Sequence, residues 1–351
     1  INGYKEGSFF TPGFITMYMA KETIRRAVVQ KFNEETNKSY TDLNGVYNAI
    51  ENDFSRKEAN DIINSLKICD PAVGSGHFLV SCLNEILAVK SELNILTDKY
   101  GKTLRDYEIK VVNDELVITD ENHELFEYNP KSTESQRVQE TLFHEKEKLI
   151  ENCLFGVDIN PNSVKICRLR LWIELLKNAY YKNEEELETL PNIDINIKCG
   201  NSLISRFPLD ADLSQALKKS KWNIETYRTA VQSYRNATTK DEKNEMVRLI
   251  QDIKSDFRSE IGKTNPKVVK LQKLETQFFQ EFQSARLIEV DLTEKKKRSI
   301  EKKREKKLKE IEKLQKEIEE IKNNKIYENA FEWRFEFPEV LDNEGNFIGF
   351  D

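Results

Sequence analysis

The sequence lacks any run of about 18 uncharged apolar residues, the length that a membrane-spanning helix requires. Its five cysteines have no CxxC spacing and lie mostly within apolar runs, as reduced and buried thiols do. Its three histidines share no ligand-like spacing, so we interpret them as surface or cap residues. These absences favour a soluble cytoplasmic protein with no membrane partner and no bound metal. The histidines are His77, His123 and His144.

Charge and hydrophobicity indicate a core together with a large solvated part. The chain has 351 residues, of which 38% are hydrophobic and 33% charged, and its net charge is −6. This length is sufficient for more than one structural unit. The acidic balance does not indicate a nucleic-acid partner, but a local basic patch can still contact phosphates.

Short apolar runs alternate with helix-like segments in the middle of the chain. Residues 65–70 (SLKICD) have the pattern of a buried strand, and a helical apolar stripe begins at Phe78. The same order recurs with a strand at 153–157 and a helix at 163–176, and a third strand is predicted within 195–204. This alternation predicts an α/β fold with a parallel sheet.

Each predicted strand is followed by a polar residue, namely Asp70, Asp158 or Asn201. The carboxyl ends of parallel strands share one edge, where α/β folds bind their ligands. Asp158 could accept both hydroxyls of a ribose, and Asn201 could hydrogen-bond the edge of an adenine. Each residue alone has a simpler explanation, because Asp158 could cap the next helix and Asn201 could be a turn residue.

The segment DPAVGSGHF (Asp70–Phe78) could hold a nucleoside triphosphate, a dinucleotide or a nucleoside with a charged amino-acid tail. A triphosphate loop needs Lys and Ser or Thr where His77 and Phe78 stand. A dinucleotide loop needs a third glycine after Gly74 and Gly76 and an acidic residue at a strand end about 20 positions later, and the sequence has neither. An ordinary tight turn is the simplest alternative. Together with Asp158 and Asn201, the segment favours S-adenosylmethionine, because its cationic sulfonium and its amino-acid tail, which carries both charges, suit an acidic first turn.

The flanking segments are predicted to be mainly helical. A helix over 14–32 would begin with Thr11 as cap and Pro12 in its first turn. Two alternating apolar runs around Asn113-Asp114 predict a hairpin within an insertion. Residues 211–330 are rich in Lys, Glu, Gln and Arg and predict a charged helical hairpin. Its apolar repeat of about two heptads is too short for an extended coiled coil.

Four segments in this order resemble motifs of the γ-class adenine-N6 DNA methyltransferases. They are FFTPGFI, DPAVGSGHF, FGVDINPNSV and CGNSL, which are similar to motifs X, I, II and III. The resemblance is closest to the methyltransferase part of type IIG and IIS restriction-modification enzymes. It covers Phe9 to Leu203 and the segment WRFEFPEV (Trp333–Val340). It implies the α/β fold of class I S-adenosylmethionine-dependent methyltransferases, with a Rossmann-like sheet and a long helical insertion.

The resemblance also implies roles for single residues in binding S-adenosylmethionine. Motif X would approach the methionine end, motif I would form the tail-binding loop, and motifs II and III would bind the ribose and the adenine. Many relatives have Asp where Asn201 stands, and an amide keeps the acceptor but loses the charge. The implied cofactor-binding residues are Thr11, Pro12, Asp70, Ala72, Gly74, Gly76, Phe78, Asp158, Ile159, Asn201 and Leu203.

The catalytic motif of this family, [N/D/S]PP[Y/F/W], holds the target amine and stacks on a flipped-out base. The sequence contains no Pro-Pro pair. We therefore expect a fragment with a truncated sheet that is inactive alone, with the motif after Asp351. The expected parts are a helical segment with motif X at 1–64, a cofactor-binding core at 65–210 with a hairpin insertion at about 91–141, a charged helical hairpin at 211–330, and a return to the core at 331–351.

The function implied by the resemblance is that of the S-adenosylmethionine-binding part of a site-specific DNA adenine-N6 methyltransferase. Double-stranded DNA would be the partner of the full-length protein, and the basic run Lys295–Lys307 is a possible phosphate contact. One alternative is a methyltransferase of the same fold that acts on a protein glutamine or on RNA. Another is a non-catalytic scaffold that binds other proteins.

Overall fold

The computed structural model describes residues 11–183, 185–207, 209, 218–283 and 294–351, without the side chains of residues 264, 283, 294–297, 321 and 322. The chain forms two compact units. The first unit consists of the described residues within Ile1–Leu203, Val231–Asn244 and Ile348–Asp351. The second unit consists of those within Ile204–Ala230 and Glu245–Phe347.

Helices and short strands alternate in the first half of the chain, and helices make up most of the second half. The strands are β1 (Ile68–Asp70), β2 (Tyr107–Val112), β3 (Glu115–Asp120), β4 (Leu154–Asp158) and β5 (Ile197–Cys199). The helices are α1 (Gly13–Thr36), α2 (Leu43–Asp53), α3 (Arg56–Asn64), α4 (His77–Glu92), α5 (Thr133–Asn152), α6 (Pro161–Leu176), α7 (Ile224–Arg235), α8 (Lys240–Thr264), α9 (Pro266–Phe278), α10 (Glu294–Lys322) and α11 (Trp333–Glu336). None of the helices in the described ranges is long and apolar enough to cross a lipid bilayer.

A three-stranded parallel sheet in the order β1-β4-β5 lies in the first unit. Its register pairs Asp70 of β1 with Gly156 of β4, and Asp158 of β4 with Cys199 of β5. Connections between parallel strands need a crossover, which α4 and α6 supply. The predicted mixed α/β architecture with a parallel sheet is confirmed at this level.

Local sequence signals explain where several of these helices begin. Ser55 and Glu58 form a reciprocal capping box at α3, and Asp42 caps α2. Asn160 accepts a hydrogen bond from the Asn162 N–H at the start of α6, where Pro161 occupies the first turn. The predicted use of Asp158 as the cap of this helix is therefore wrong, because Asn160 has that role.

The beginning of α1 also differs from the prediction. Its N-cap is Pro12, which makes no side-chain cap bond, so the prediction of Thr11 as cap is wrong. The Pro12 carbonyl accepts from the N–H groups of Ile15 and Thr16 and thereby starts the helix. A cap must precede the first helical residue directly, and Thr11 lies one residue too early.

The strands β2 and β3 form an antiparallel hairpin with a two-residue turn. Both turn residues have left-handed backbone, with φ of +52° at Asn113 and +67° at Asp114. Asn and Asp tolerate this conformation better than other residues with a side chain. The turn is therefore specified locally by this Asn-Asp pair.

Within the second unit, α9 and α10 pack side by side in opposite directions. Lys267, near the start of α9, pairs with Glu317 near the end of α10 at 2.8 Å. Lys307, in the first half of α10, pairs with Glu281 just after α9 at 2.8 Å. The apolar repeat predicted in this segment includes Ile311 and Leu314, which are buried in α10, and Ile321, whose side chain lies outside the described residues.

A buried ion pair connects α4 and α5. The Lys90 ammonium is fully buried, 2.7 Å from Glu145 Oε2 and 2.7 Å from Asn64 Oδ1. Burial lowers the pKa of Lys90. Burial would raise the pKa of Glu145, but the Lys90 charge outweighs this effect and holds that pKa below its usual value. Lys148, about half exposed, contacts the other oxygen of Glu145 at 3.2 Å.

Replacement of Glu145 with glutamine is expected to destabilise the fold, because it leaves the Lys90 charge buried without a carboxylate. Breaking a buried pair in this way costs about 3–5 kcal/mol. The matched control is Lys148→Met, which removes only the exposed cation from the same carboxylate and should cost about 0–1 kcal/mol. Denaturant unfolding measures both variants. Equal losses would show that burial of Lys90 does not control the energetics of this pair.

Candidate cofactor site

Three strands of the parallel sheet end side by side. β1 ends at Asp70 and β4 at Asp158, and β5 ends at Cys199, which is paired in register with Asp158. The Gly200 N–H donates to the Asp158 carbonyl at 2.9 Å, so the chain that leads to Asn201 stays close to the end of β4. The structure thus brings together the three predicted polar strand ends.

The glycine loop after β1 is fixed by the carboxylates of these strand ends. The Gly74 N–H donates to Asp158 Oδ2 at 2.8 Å, and the Ala72 N–H donates to Asp70 Oδ1 at 2.9 Å. The Val73 N–H donates to the Val157 carbonyl at 2.8 Å and attaches the loop to β4. The loop therefore lies across the ends of β1 and β4, where a ligand of this sheet edge would bind.

Two glycines of the loop have left-handed backbone, with φ of +53° at Gly74 and +81° at Gly76. Gly76 is also in close contact with α6, because an added Cβ would lie 2.6 Å from Cys167 Sγ and 3.3 Å from Cys167 Cα. Only glycine satisfies both the conformation and the space. Close packing of α6 therefore explains Gly76, independently of any ligand.

The sheet edge carries an excess of negative charge. Within the described ranges, neither Asp70 nor Asp158 has a cationic side chain at ion-pair distance. Burial raises the pKa of Asp70, the Ala72 N–H opposes that shift, and the nearby negative charge of Asp158 adds to it. A bound cation would relieve the repulsion between the two carboxylates. The arrangement fits a ligand with a positive group at the glycine loop.

The Asp158 carboxylate has remaining capacity to accept hydrogen bonds. Its Oδ2 accepts from Gly74, and its Oδ1 accepts from the Asn160 N–H at 2.7 Å. A carboxylate has about four acceptor positions, so about two are left for a ligand. Two hydroxyl groups on neighbouring carbon atoms, as in a ribose, are donors that would match this capacity.

Other predicted site residues lie around this edge with different exposure. Ile159 is 53% exposed and Leu203 is 90% exposed, although both are apolar, whereas Phe78 is half-buried. Asn201 Oδ1 accepts from the Leu203 N–H at 3.1 Å, so the interpretation of Asn201 as a turn residue is confirmed. Its predicted contact with adenine stays a prediction.

The segment with Thr11 and Pro12 is brought to the glycine loop through Gly13. A Cβ added at Gly13 would lie 2.9 Å from Nε2 of His77, the first residue of α4. Thr11 and Pro12 are exposed at the beginning of α1. Motifs that are far apart in sequence therefore meet near the first turn of α4.

Three side chains beside the loop were not predicted from the sequence. The His77 ring, interpreted as a surface or cap group, lies between Arg170 of α6 and Asp114 of the hairpin turn. Its Nδ1 is 2.9 Å from Arg170 Nη1, and its Nε2 is 2.7 Å from Asp114 Oδ2. The sequence contains one signal for a close contact at this place. Gly13 stands in the first turn of a helix, although glycine is a poor helix former.

The structure thus has a glycine loop, closed by acidic strand ends, at the edge of a parallel sheet where α/β folds bind their ligands. A comparison of the sequence with known protein families assigns the chain to a narrower group. Residues 152–351 match the Eco57I restriction-modification methylase family, and the chain belongs to this family. The predicted relation to restriction-modification methyltransferases is thereby confirmed. The matched region includes Asp158 and begins after the glycine loop.

A curated relative supports the same assignment. A predicted type II restriction enzyme and methyltransferase of Methanocaldococcus jannaschii is 32% identical over 220 residues. The match covers 60% of this chain and 15% of the relative, so the chain corresponds to a small part of that protein. No solved structure matches the chain.

Replacement of Gly76 with alanine is expected to cost more stability than the same change at Gly101. Both glycines have φ near +80°, but no described atom lies within 4 Å of a Cβ at Gly101. Gly101→Ala should therefore cost about 1–2 kcal/mol from backbone strain alone. Gly76→Ala should lose about 1–3 kcal/mol more through overlap with Cys167. Denaturant unfolding measures the difference, and Cys167→Ala should recover part of the extra loss; equal costs for both glycines would contradict the packing argument.

Proposed function

We propose that this chain is the S-adenosylmethionine-binding part of a site-specific DNA adenine-N6 methyltransferase of a restriction-modification system. The observation that carries the proposal is the acidic edge formed by Asp70, Asp158 and the glycine loop, which has no cationic partner among the described residues, in a chain of the restriction-modification methylase family. We also propose a class I methyltransferase fold and a cytoplasmic location, because the substrate would be cellular DNA.

The residues at the sheet edge fit the parts of this cofactor. Asp70 would attract the cationic end of the amino-acid tail, and Asp158 would accept from the ribose hydroxyls. Ile159 and Leu203 would give apolar surface to the adenine, with Asn201 at its edge. Thr11, Pro12, Ala72, Gly74, Gly76 and Phe78 would line the methionine end and the tail. When bound, S-adenosylmethionine would supply a methyl group for direct displacement at its sulfonium.

The proposed parts of the chain follow the sequence motifs. The cofactor-binding core would comprise residues 65–210, with an insertion at about 91–141, after a helical segment at 1–64. Residues 211–330 would form a charged helical insertion before the return to the core at 331–351. Residues 208 and 210–217, at the boundary of the core, lie outside the described residues.

Double-stranded DNA is the proposed partner, and α10 is the proposed phosphate contact. Residues 294–309 contain ten basic and three acidic residues, whereas residues 310–322 contain three basic and five acidic residues. Lys302 and Lys306 are exposed like charges four residues apart, a spacing that destabilises a helix. Among described carboxylates, none lies at ion-pair distance from Lys302, Lys303 or Lys306. A polyanion would relieve this repulsion.

Calorimetry with S-adenosylmethionine tests the cofactor site. Asp70→Asn keeps an oxygen acceptor for the Ala72 N–H and removes the charge. We expect it to weaken S-adenosylmethionine binding about 10- to 100-fold, the worth of a hydrogen bond to a charged group. It should leave the affinity for 5′-methylthioadenosine, which has no amino-acid tail, almost unchanged.

Asp158→Asn should weaken the binding of both compounds, because both contain the ribose. The exposed carboxylate Asp106 is the control, and Asp106→Asn should change neither affinity. No binding of S-adenosylmethionine by the unaltered chain would contradict the proposal and favour a scaffold. Methyl transfer to adenine in duplex DNA, assayed with the full gene product, separates the DNA substrate from a protein or RNA substrate.

The phosphate contact is tested with two variants of equal charge change on α10. Lys302→Glu with Lys306→Glu should weaken binding to a DNA duplex and reduce the salt slope by about 2, since each phosphate contact contributes about 0.9. Lys313→Glu with Lys316→Glu alters the acidic half of the same helix and should have little effect. Fluorescence anisotropy over a salt series measures both. Equal effects of the two variants would contradict a localised contact. The variants do not include Lys295, Lys296 and Lys297, because the side chains of these residues lie outside the described residues.

A further inference from the structure

The His77 ring is held by two charged side chains from different elements. Arg170 Nη1 lies 2.9 Å from His77 Nδ1, and Asp114 Oδ2 lies 2.7 Å from His77 Nε2. Arg170 belongs to α6, and Asp114 belongs to the turn between β2 and β3. His77 itself follows Gly76 and is the first residue of α4. One imidazole therefore connects the glycine loop with two elements that come later in the chain.

The two partners define the tautomer of His77. A guanidinium can only donate, so Nδ1 must accept from Arg170 and the ring proton must be on Nε2. The Nε2–H then faces the Asp114 carboxylate. The contact is short but is not aligned as a hydrogen bond, and within the described part of the chain Nε2 is buried without another partner. The attraction between the ring and Asp114 is therefore mainly electrostatic.

Gly13 brings the beginning of α1 to the same ring. A Cβ at Gly13 would lie 2.9 Å from His77 Nε2 and 3.8 Å from Asp114 Oδ2, so the imidazole occupies the space of a side chain there. Gly13 directly follows Thr11 and Pro12. The ring is thus the contact between the Thr11–Pro12 segment and the glycine loop.

The hairpin turn is itself attached firmly to α4. Asp114 Oδ1 accepts from Ser81 Oγ at 2.7 Å, and the Asp114 carbonyl accepts from Asn84 Nδ2 at 2.9 Å. Ser81 Oγ is also 3.1 Å from Thr16 Oγ1 of α1. α4 therefore fixes the position of the Asp114 carboxylate independently of the contact between this carboxylate and the His77 ring.

We propose that His77 is a positioning residue for the methionine end of the cofactor, held by Asp114 and Arg170. The inference rests on the proposed function, in which the Thr11–Pro12 segment and the glycine loop approach the same end of S-adenosylmethionine. The His77 ring fixes the distance between these two segments before the ligand arrives. Such preorganisation raises affinity because less order must be imposed on binding.

The first test is Asp114→Asn, which removes the charge opposite His77 with little other change. Asn tolerates left-handed backbone, its side-chain oxygen can accept from Ser81, and its carbonyl still accepts from Asn84. We expect a five- to tenfold higher Kd for S-adenosylmethionine by calorimetry and an unchanged Kd for 5′-methylthioadenosine. Glu108→Gln, an exposed position of the same hairpin, is the matched control and should change neither value.

Nitrogen NMR of histidine-labelled protein gives a readout that a purely structural role would not affect. The unaltered chain should show His77 with its proton on Nε2, and Arg170→Met should release this preference because Nδ1 loses its donor. Asp114→Asn should broaden or shift the Nε2 signal. A His77 ring with its proton on Nδ1 in the unaltered chain would overturn the assignment.

A double-mutant cycle tests the contact with Gly13. Gly13→Ala should weaken S-adenosylmethionine binding in the unaltered chain, because the new methyl displaces the ring, and should have little effect in a His77→Ala background. If the unaltered chain does not bind S-adenosylmethionine, the proposed function fails. If it binds and Asp114→Asn binds equally well, the positioning role of His77 fails while the proposed function stands.

Discussion

The hydrogen bond from the Gly74 N–H to the Asp158 carboxylate, 2.8 Å long, is the contact on which the sheet edge depends. It attaches the loop after β1 to the end of β4. The other oxygen of the same carboxylate accepts from the Asn160 N–H at 2.7 Å and fixes the approach to α6. The two oxygens of one carboxylate thus orient two turns of the chain. A neutral or longer side chain could not do this with the same geometry. Any ligand at this edge would meet a loop that is already folded.

Sequence patterns predict the local elements well, because strands, turns and caps are determined by residues that are close together in the chain. The segments around Asp70 and Asp158 have strand and turn signals within ten residues, and the Asn113-Asp114 turn is specified by its own two residues. The errors at Thr11 and Asp158 concern which of several neighbouring polar residues caps a helix. The capping residue changes when the beginning of the helix shifts by one residue along the chain, and composition does not determine this position.

Contacts between distant segments could not be predicted in the same way. The meeting of Gly13, His77, Asp114 and Arg170 requires four elements to be placed in space first. Gly13 and His77 lie in motifs X and I, but Asp114 and Arg170 lie in none of the four motifs, and His77 alone is indistinguishable from a surface residue. The grouping of the candidate cofactor residues was easier to predict from the sequence. The carboxyl ends of parallel strands share one edge of the sheet, however the helices between the strands are packed. Their spatial grouping follows from topology, whereas the contacts of His77 follow from packing.

Each unit of the chain contains a charge arrangement that opposes folding. In the first unit, Asp70 and Asp158 lie near each other without a cationic partner among the described residues, and burial and this repulsion raise the pKa of Asp70. In the second unit, the like charges Lys302 and Lys306 are adjacent on α10. Each arrangement would be relieved by a group of opposite sign, a cationic group at the sheet edge and a polyanion at the helix. The ion pairs elsewhere, such as Lys90–Glu145 and Lys267–Glu317, balance their charges within the protein. At both places a bound ligand of opposite charge would add to the stability that the local contacts of these residues already give.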